Sequence, residues 1–198
     1  MHINPSNQES SLHKRSTIPI FILLLISVFF SSSSAYNLTL NNTPAQVYFS
    51  PNGGATKAIV KEIDNATLEV LVQAYSFTSA PIAKALVNAK KRAVNVEVIA
   101  DKSQKKDPKK KGASYTSATF LANTGIPTYI DSAHSIAHNK IIIIDKQVVI
   151  TGSFNFSKAA EESNAENIII LKNPELASIY IDNFLKHKAH SEKLAPRY

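Results

Sequence analysis

Between residues 138 and 167 the chain carries, in order, an imidazole, an ammonium, a carboxylate, a hydroxyl, an amide and a second carboxylate: His138, Lys140, Asp145, Ser153, Asn155 and Glu166. His138-Asn139-Lys140 runs into Ile141 to Ile144 and then Asp145, giving the pattern H-x-K-x-x-x-x-D. Gly152-Ser153-Phe154-Asn155 and Glu166-Asn167 follow. Cleaving an anionic phosphate ester without a metal needs a group that attacks phosphorus or shuttles protons, and groups that neutralise the phosphate oxygens. His138 meets the first need; Lys140, Ser153 and Asn155 meet the second. The block lacks the carboxylate clusters that Mg²⁺ or Ca²⁺ sites require, and Lys140 repels a cation. The expectation is therefore no metal and no cofactor.

These groups need rigid supports, and the surrounding pattern supplies them. The apolar run Ile141 to Ile144 reads as a central strand buried on both faces. His138 lies just before it, at the edge of the sheet, and Lys140 two residues on shares its face. Asp145 falls at the far end of that strand, where organising the turn Asp145-Lys146-Gln147 and nearby amides is the simpler role. Val148 to Thr151 pairs back, and Ser153 and Asn155 share one side at i to i+2 spacing. Glu166 precedes another apolar strand, Ile168 to Leu171, and a carboxylate there is suited to hold an imidazole in one tautomer.

Upstream, Gln46 to Ser50, Leu68 to Ala74, Val94 to Ala100 and Ile126 to Ile130 read as strands. Helices are expected over Thr56 to Asp64, over Ser79 to Arg92 with Ser79 as cap and Pro81 in the first turn, and over Ser114 to Asn123, stopped at Gly125. A short helix should follow Ser157. Pro174 opens the last one, with Leu176, Ile179, Tyr180, Asn183, Phe184 and His187 on one face. Strands alternating with helices indicate an α/β layered fold in a single domain. His134 suits the rim of a pocket; His187 and His190 read as ordinary helix residues.

The chain has 198 residues, no Cys and a formal net charge of +7. Lys14 and Arg15, the apolar run Ile18 to Phe30 and the small residues Ser31 to Ala35 have the order of an export signal. The run is shorter than the roughly 20 residues of a membrane span. Cleavage near Ala35 would leave a secreted or periplasmic protein with a polar, flexible leader over 36–45 and a domain over 46–198. Retention as an N-terminal anchor is the alternative. A domain of that size buries enough surface to dispense with disulfides. The basic balance favours polyanions without choosing between nucleic acid and anionic lipid. Lys105, Lys106, Lys109, Lys110 and Lys111 crowd one loop, either solvated or in contact with such a polyanion.

Taken together, H-x-K-x4-D followed by Gly152-Ser153-Phe154-Asn155 resembles the phospholipase D superfamily. Gln73-Ala74-Tyr75-Ser76-Phe77-Thr78 and Ala83-Lys84-Ala85-Leu86 resemble it as well. The likeness is to the short, exported, single-motif members, both small bacterial phospholipases D and metal-independent endonucleases. It implies a mixed β-sheet sandwiched between helical layers. His138 would attack phosphorus to give a phosphohistidine, Lys140, Ser153 and Asn155 would hold the phosphate, and Asp145 belongs to the motif. Glu166 would support the histidine of a partner subunit.

In-line displacement needs a nucleophile on one side of phosphorus and a proton donor on the other. With one H-x-K per chain, the resemblance implies a homodimer whose active site lies on the two-fold axis. The signature reads the phosphodiester and not what it links. The expected substrate is a phosphatidylcholine-type lipid at a phospholipid membrane, suggested by the Gly-poor, Ile/Lys/Asn-rich composition. DNA or RNA phosphodiesters are the alternative, and a non-catalytic polyanion-binding protein the third reading.

Overall fold

The four isoleucines Ile141 to Ile144 lie in the middle of one eight-stranded mixed sheet. It is seen in a computed structural model whose described residues are Met1, 35–105 and 116–196. The chain order is β1 (Ala45–Phe49), α1 (Ala55–Asp64), β2 (Glu69–Ala74), α2 (Ala80–Lys91), β3 (Asn95–Asp101), a 3₁₀ turn (Lys102–Gln104) and α3 (Ser117–Asn123). There follow β4 (Thr128–Asp131), β5 (Lys140–Ile144), β6 (Val148–Gly152), α4 (Lys158–Glu162), β7 (Asn167–Lys172), α5 (Pro174–Ala189) and β8 (Glu192–Lys193). Across the sheet the strands run β1-β7-β6-β5-β2-β3-β4-β8. β2, β3 and β4 are mutually parallel; the other pairings are antiparallel.

Alternation along the central strands feeds two cores, as the period-2 geometry of a strand demands. Val70 and Val72 of β2 and Ile142 and Ile144 of β5 face one layer with Ile59 and Ile63 of α1 and Ile82 and Leu86 of α2. Leu71, Ile141, Ile143 and Val149 face the other, against Ala177 and Phe184 of α5. This is the expected sheet between helical layers, with β5 buried on both faces.

Several local expectations change in three dimensions. Ser79 occupies the N-cap of α2, but its side chain makes no capping bond; its amide instead donates to the Phe156 carbonyl at 2.8 Å. Thr116, Ser157 and Asn173 do cap α3, α4 and α5 with their side chains. β7 is half-buried at Ile169 and Leu171, because α5 crosses the central strands on that face while β7 lies toward the sheet edge. On α5 the buried face is Ala177 and Phe184 flanked by Leu176, Tyr180 and Ile181, while Asn183 is exposed. The edge strand β8 has no apolar run and was not expected. Of the leader, Thr43 accepts a hydrogen bond from Asn173 and Pro44 accepts one from the Lys172 amide. The 1–35 signal falls outside the described residues except at Met1 and Ala35, as does most of the lysine loop.

Candidate active site

Strand directions gather the functional groups at one end of the sheet. β5 and β7 begin there, while β1, β2, β3, β4 and β6 end there. The loop entering β5 is tied down before it delivers its side chains. The Asp101 carboxylate accepts from the Ala137 amide at 2.8 Å, and the Asn139 carbonyl accepts from the Tyr75 amide at 2.8 Å.

His138 is exposed, with its ring 4.5 Å from that of Tyr75. Lys140 is 7% exposed. Its Nζ donates to the His138 carbonyl at 2.9 Å and lies 4.9 Å from the centre of the Tyr75 ring. Burial pushes this ammonium below its ordinary value, and the Glu166 carboxylate reverses only part of that shift. A cation held with so little water responds strongly to an incoming anion. Tyr75 therefore bridges the His138 imidazole and the Lys140 ammonium.

Gly152 ends β6 at φ +156°, and a Cβ there would collide with the Asn167 carbonyl. The missing side chain lets the start of β7 approach, and with it Glu166. Ser153 Oγ accepts from the Asn167 amide at 3.1 Å, which leaves its proton for another acceptor. Asn155 is half-buried, and its Oδ1 has no partner among the described residues. Glu166 is held through its backbone: its carbonyl accepts from the Ser50 amide at 2.9 Å, and its amide donates to Ser50 Oγ at 3.2 Å. Its Oε1 accepts from Asn164 at 3.2 Å, and its charge favours the Lys140 ammonium.

Asp145 stands apart from these groups, at the opposite end of β5. Its carboxylate accepts from the amides of Thr67, Leu68 and Glu69 and from the Thr67 hydroxyl, at 2.8–2.9 Å. Burial pushes this carboxyl up, but those bonds outweigh it and hold it below the usual carboxylate range. Asp145 and Lys146 have φ of 52° and 58°, and the Gln147 amide donates to the Ile144 carbonyl. This is a type I′ hairpin turn. Asp145 thus fastens the entry of β2 to the β5–β6 turn, the turn-organising role that its place at the strand's end suggested, and it lies at the end of β5 away from His138 and Lys140.

A second polar cluster was not legible as a unit. Asp131, fully buried at the end of β4, accepts on Oδ2 from His187 Nδ1 at 2.8 Å, His134 Nδ1 at 3.0 Å and His190 Nε2 at 3.3 Å. Burial raises this carboxyl, but the three imidazoles and the Ala133 amide hold it well below the usual range. The available signal was a pair of i, i+3 spacings, Asp131/His134 and His187/His190, with nothing to show that they meet. Of the five clustered lysines, only Lys105 is among the described residues; it pairs with Glu192 of β8.

Residues 59–188 match the family model described as cardiolipin synthase, phospholipase D-like domain. The chain is 42% identical to a phospholipase D of Rickettsia conorii over 155 residues, 78% of this chain and 74% of that protein. It is 29% identical to the mitochondrial cardiolipin hydrolase of Canis lupus familiaris, over 60% of this chain and 44% of that one. Among solved structures, it is similar to Nuc of Salmonella typhimurium, a phospholipase D family member, with a TM-score of 0.70 and 38% identity. That likeness covers 77% of this chain and 99% of the other.

Proposed function

The chain belongs to the phospholipase D superfamily and is a phosphodiesterase of that kind; from this we propose that it hydrolyses phosphatidylcholine-type phospholipids to phosphatidate and the head-group alcohol. The observation that carries the lipid reading is apolar surface at the rim of a polar site. Ile136, two residues before His138, is 57% exposed. Phe49, 68% exposed, ends β1 next to Ser50, whose amide binds the Glu166 carbonyl. An acyl chain covers such side chains, whereas a nucleic-acid backbone does not. The likeness to the Rickettsia phospholipase D supports the same reading.

Exposed His138 attacks phosphorus and expels the head-group oxygen, giving a phosphohistidine. Lys140, Ser153 and Asn155 offer the ammonium, hydroxyl and amide that neutralise the charge gained on the phosphate oxygens. A second imidazole, from another copy of the chain, protonates the leaving oxygen and then deprotonates the attacking water. Glu166, at the same sheet end, would hold that partner's imidazole.

Cleavage of DNA or RNA remains the second reading, favoured by the net charge of +7 and the likeness to Nuc. Purified protein assayed side by side on phosphatidylcholine vesicles and plasmid DNA separates the two. The lipid reading expects phosphatidate and free choline from the wild type and neither from His138→Asn. Nicked plasmid with intact lipid would replace it with the nuclease.

A further inference from the structure

On the α5 side of the same sheet end, three imidazoles converge on one buried carboxylate oxygen. One ligand atom from each of Asp131, His134, His187 and His190 lies within 4.8 Å of the others. The ring centres are 4.8 Å apart for His134 and His187, 5.1 Å for His134 and His190, and 5.4 Å for His187 and His190. A carboxylate oxygen offers about two lone-pair positions, so His187 and His190 fill Oδ2 while His134 Nδ1 is shared between Oδ2 at 3.0 Å and Oδ1 at 3.1 Å.

We propose that Asp131, His134, His187 and His190 form a structural site for a borderline divalent transition-metal ion, of which Zn²⁺ is the type, fastening the loop that leads to His138 onto the end of α5. The donor set is three imidazole nitrogens and one carboxylate oxygen, the chemistry such an ion selects. In a tetrahedral zinc site with bonds of about 2.0–2.1 Å, neighbouring ligand atoms sit about 3.3 Å apart. Of the carboxylate-to-imidazole separations, that to His190 equals this edge at 3.3 Å, while those to His134 at 3.0 Å and His187 at 2.8 Å are shorter hydrogen-bond contacts that would lengthen on metal binding. The wider separations close with small turns of His134 and His190, the exposed members of the set.

Four protein ligands fill a tetrahedral shell, so the ion has no open position for substrate and serves structure. The supports for the ligands are present. The His134 carbonyl accepts from Lys102 Nζ at 3.0 Å, and the His187 carbonyl accepts from Ser191 Oγ at 2.7 Å. Gln73, 2% exposed on β2, lines the same recess as Asp131 and His187, and its side-chain amide has no partner among the described residues. Its Oε1 is available to accept the ring N–H that His187 keeps when Nδ1 binds metal.

The test uses the full chain, without an affinity tag, stripped with chelator and then given Zn²⁺ or Co²⁺. Expected are one Zn²⁺ per chain retained through gel filtration, a rise in Tm of roughly 5 °C or more, and the visible bands of tetrahedral Co²⁺. His190→Ala should weaken binding at least about tenfold. His187→Ala/His190→Ala should lose the bound metal, the Tm shift and the Co²⁺ bands, while His138→Ala keeps all three. Absence of stoichiometric metal in the wild type would overturn the site. So would full retention in the double variant, which would place the ion elsewhere.

Discussion

At the scale of residues, His138 and Lys140 were legible because their chemistry depends on a two-residue spacing that any strand entry turns into a shared face. Replacing His138 by Asn should abolish turnover with the fold intact, since the side chain is exposed and its ring rests against Tyr75 outside the two cores. Unchanged thermal unfolding together with phosphodiesterase activity within tenfold of wild type would remove His138 from the mechanism. Lys140→Ala removes the buried cation and should cost about 10²-fold or more in kcat. Chelators should leave turnover intact at temperatures well below the transition, because the groups assigned to the phosphate are an ammonium, a hydroxyl and an amide. Loss in EDTA restored by a divalent ion would mean a metal takes part in the chemistry. Asp145 shows what a motif alone conceals, since only the fold reveals the amides of Thr67, Leu68 and Glu69 that it binds. Asp145→Ala should cost about 1–3 kcal/mol of stability, read by denaturant unfolding. Because its folded pKa lies below the unfolded value, its contribution is present above the unfolded value and fades as pH falls through the folded one. A wild-type-minus-variant stability gap that grows below pH 4 would contradict that sign.

At the scale of elements, periodicity located every strand and helix that carries site residues, and missed what depends on a neighbour. β5 was readable because burial on both faces leaves an unbroken apolar run. β7 has the same composition yet is half-buried, and no feature of Ile168 to Leu171 itself says where α5 crosses. β8 has only Glu192 and Lys193, held by pairing with Tyr129 and Ile130, so it carries no signal of its own. Gly152 is the joint on which the site's second half depends. Its bare α-carbon lets Asn167 approach, and this sets the height of Glu166 beside Lys140. Gly152→Ala places a methyl against the Asn167 carbonyl and should destabilise the fold by about 1–3 kcal/mol. Turnover should fall at temperatures where the variant is still folded. Full activity and wild-type stability would mean that the β6–β7 register does not position the site.

At the scale of the whole molecule, the sheet order β1-β7-β6-β5-β2-β3-β4-β8 was not legible, because non-consecutive pairings such as β5 with β2 leave no local trace. That order places one exposed imidazole, one buried ammonium and one half-buried carboxylate residue at a single sheet end. The described residues offer no second imidazole beside His138, since His134, His187 and His190 are engaged with Asp131. In-line displacement still needs a proton donor opposite the nucleophile, and in the mechanism we propose a second copy related by a two-fold axis would supply one. With one imidazole acting as nucleophile and the other as acid, kcat/KM should follow a bell-shaped pH profile. The sharper measurement mixes subunits. A heterodimer of wild-type and His138→Ala chains, purified through two different tags, holds a single imidazole at the shared site and lacks either nucleophile or acid. Its turnover should be near zero. If each subunit held a complete site of its own, the same heterodimer would keep about half the wild-type rate, and the active site would have to be rebuilt from one chain.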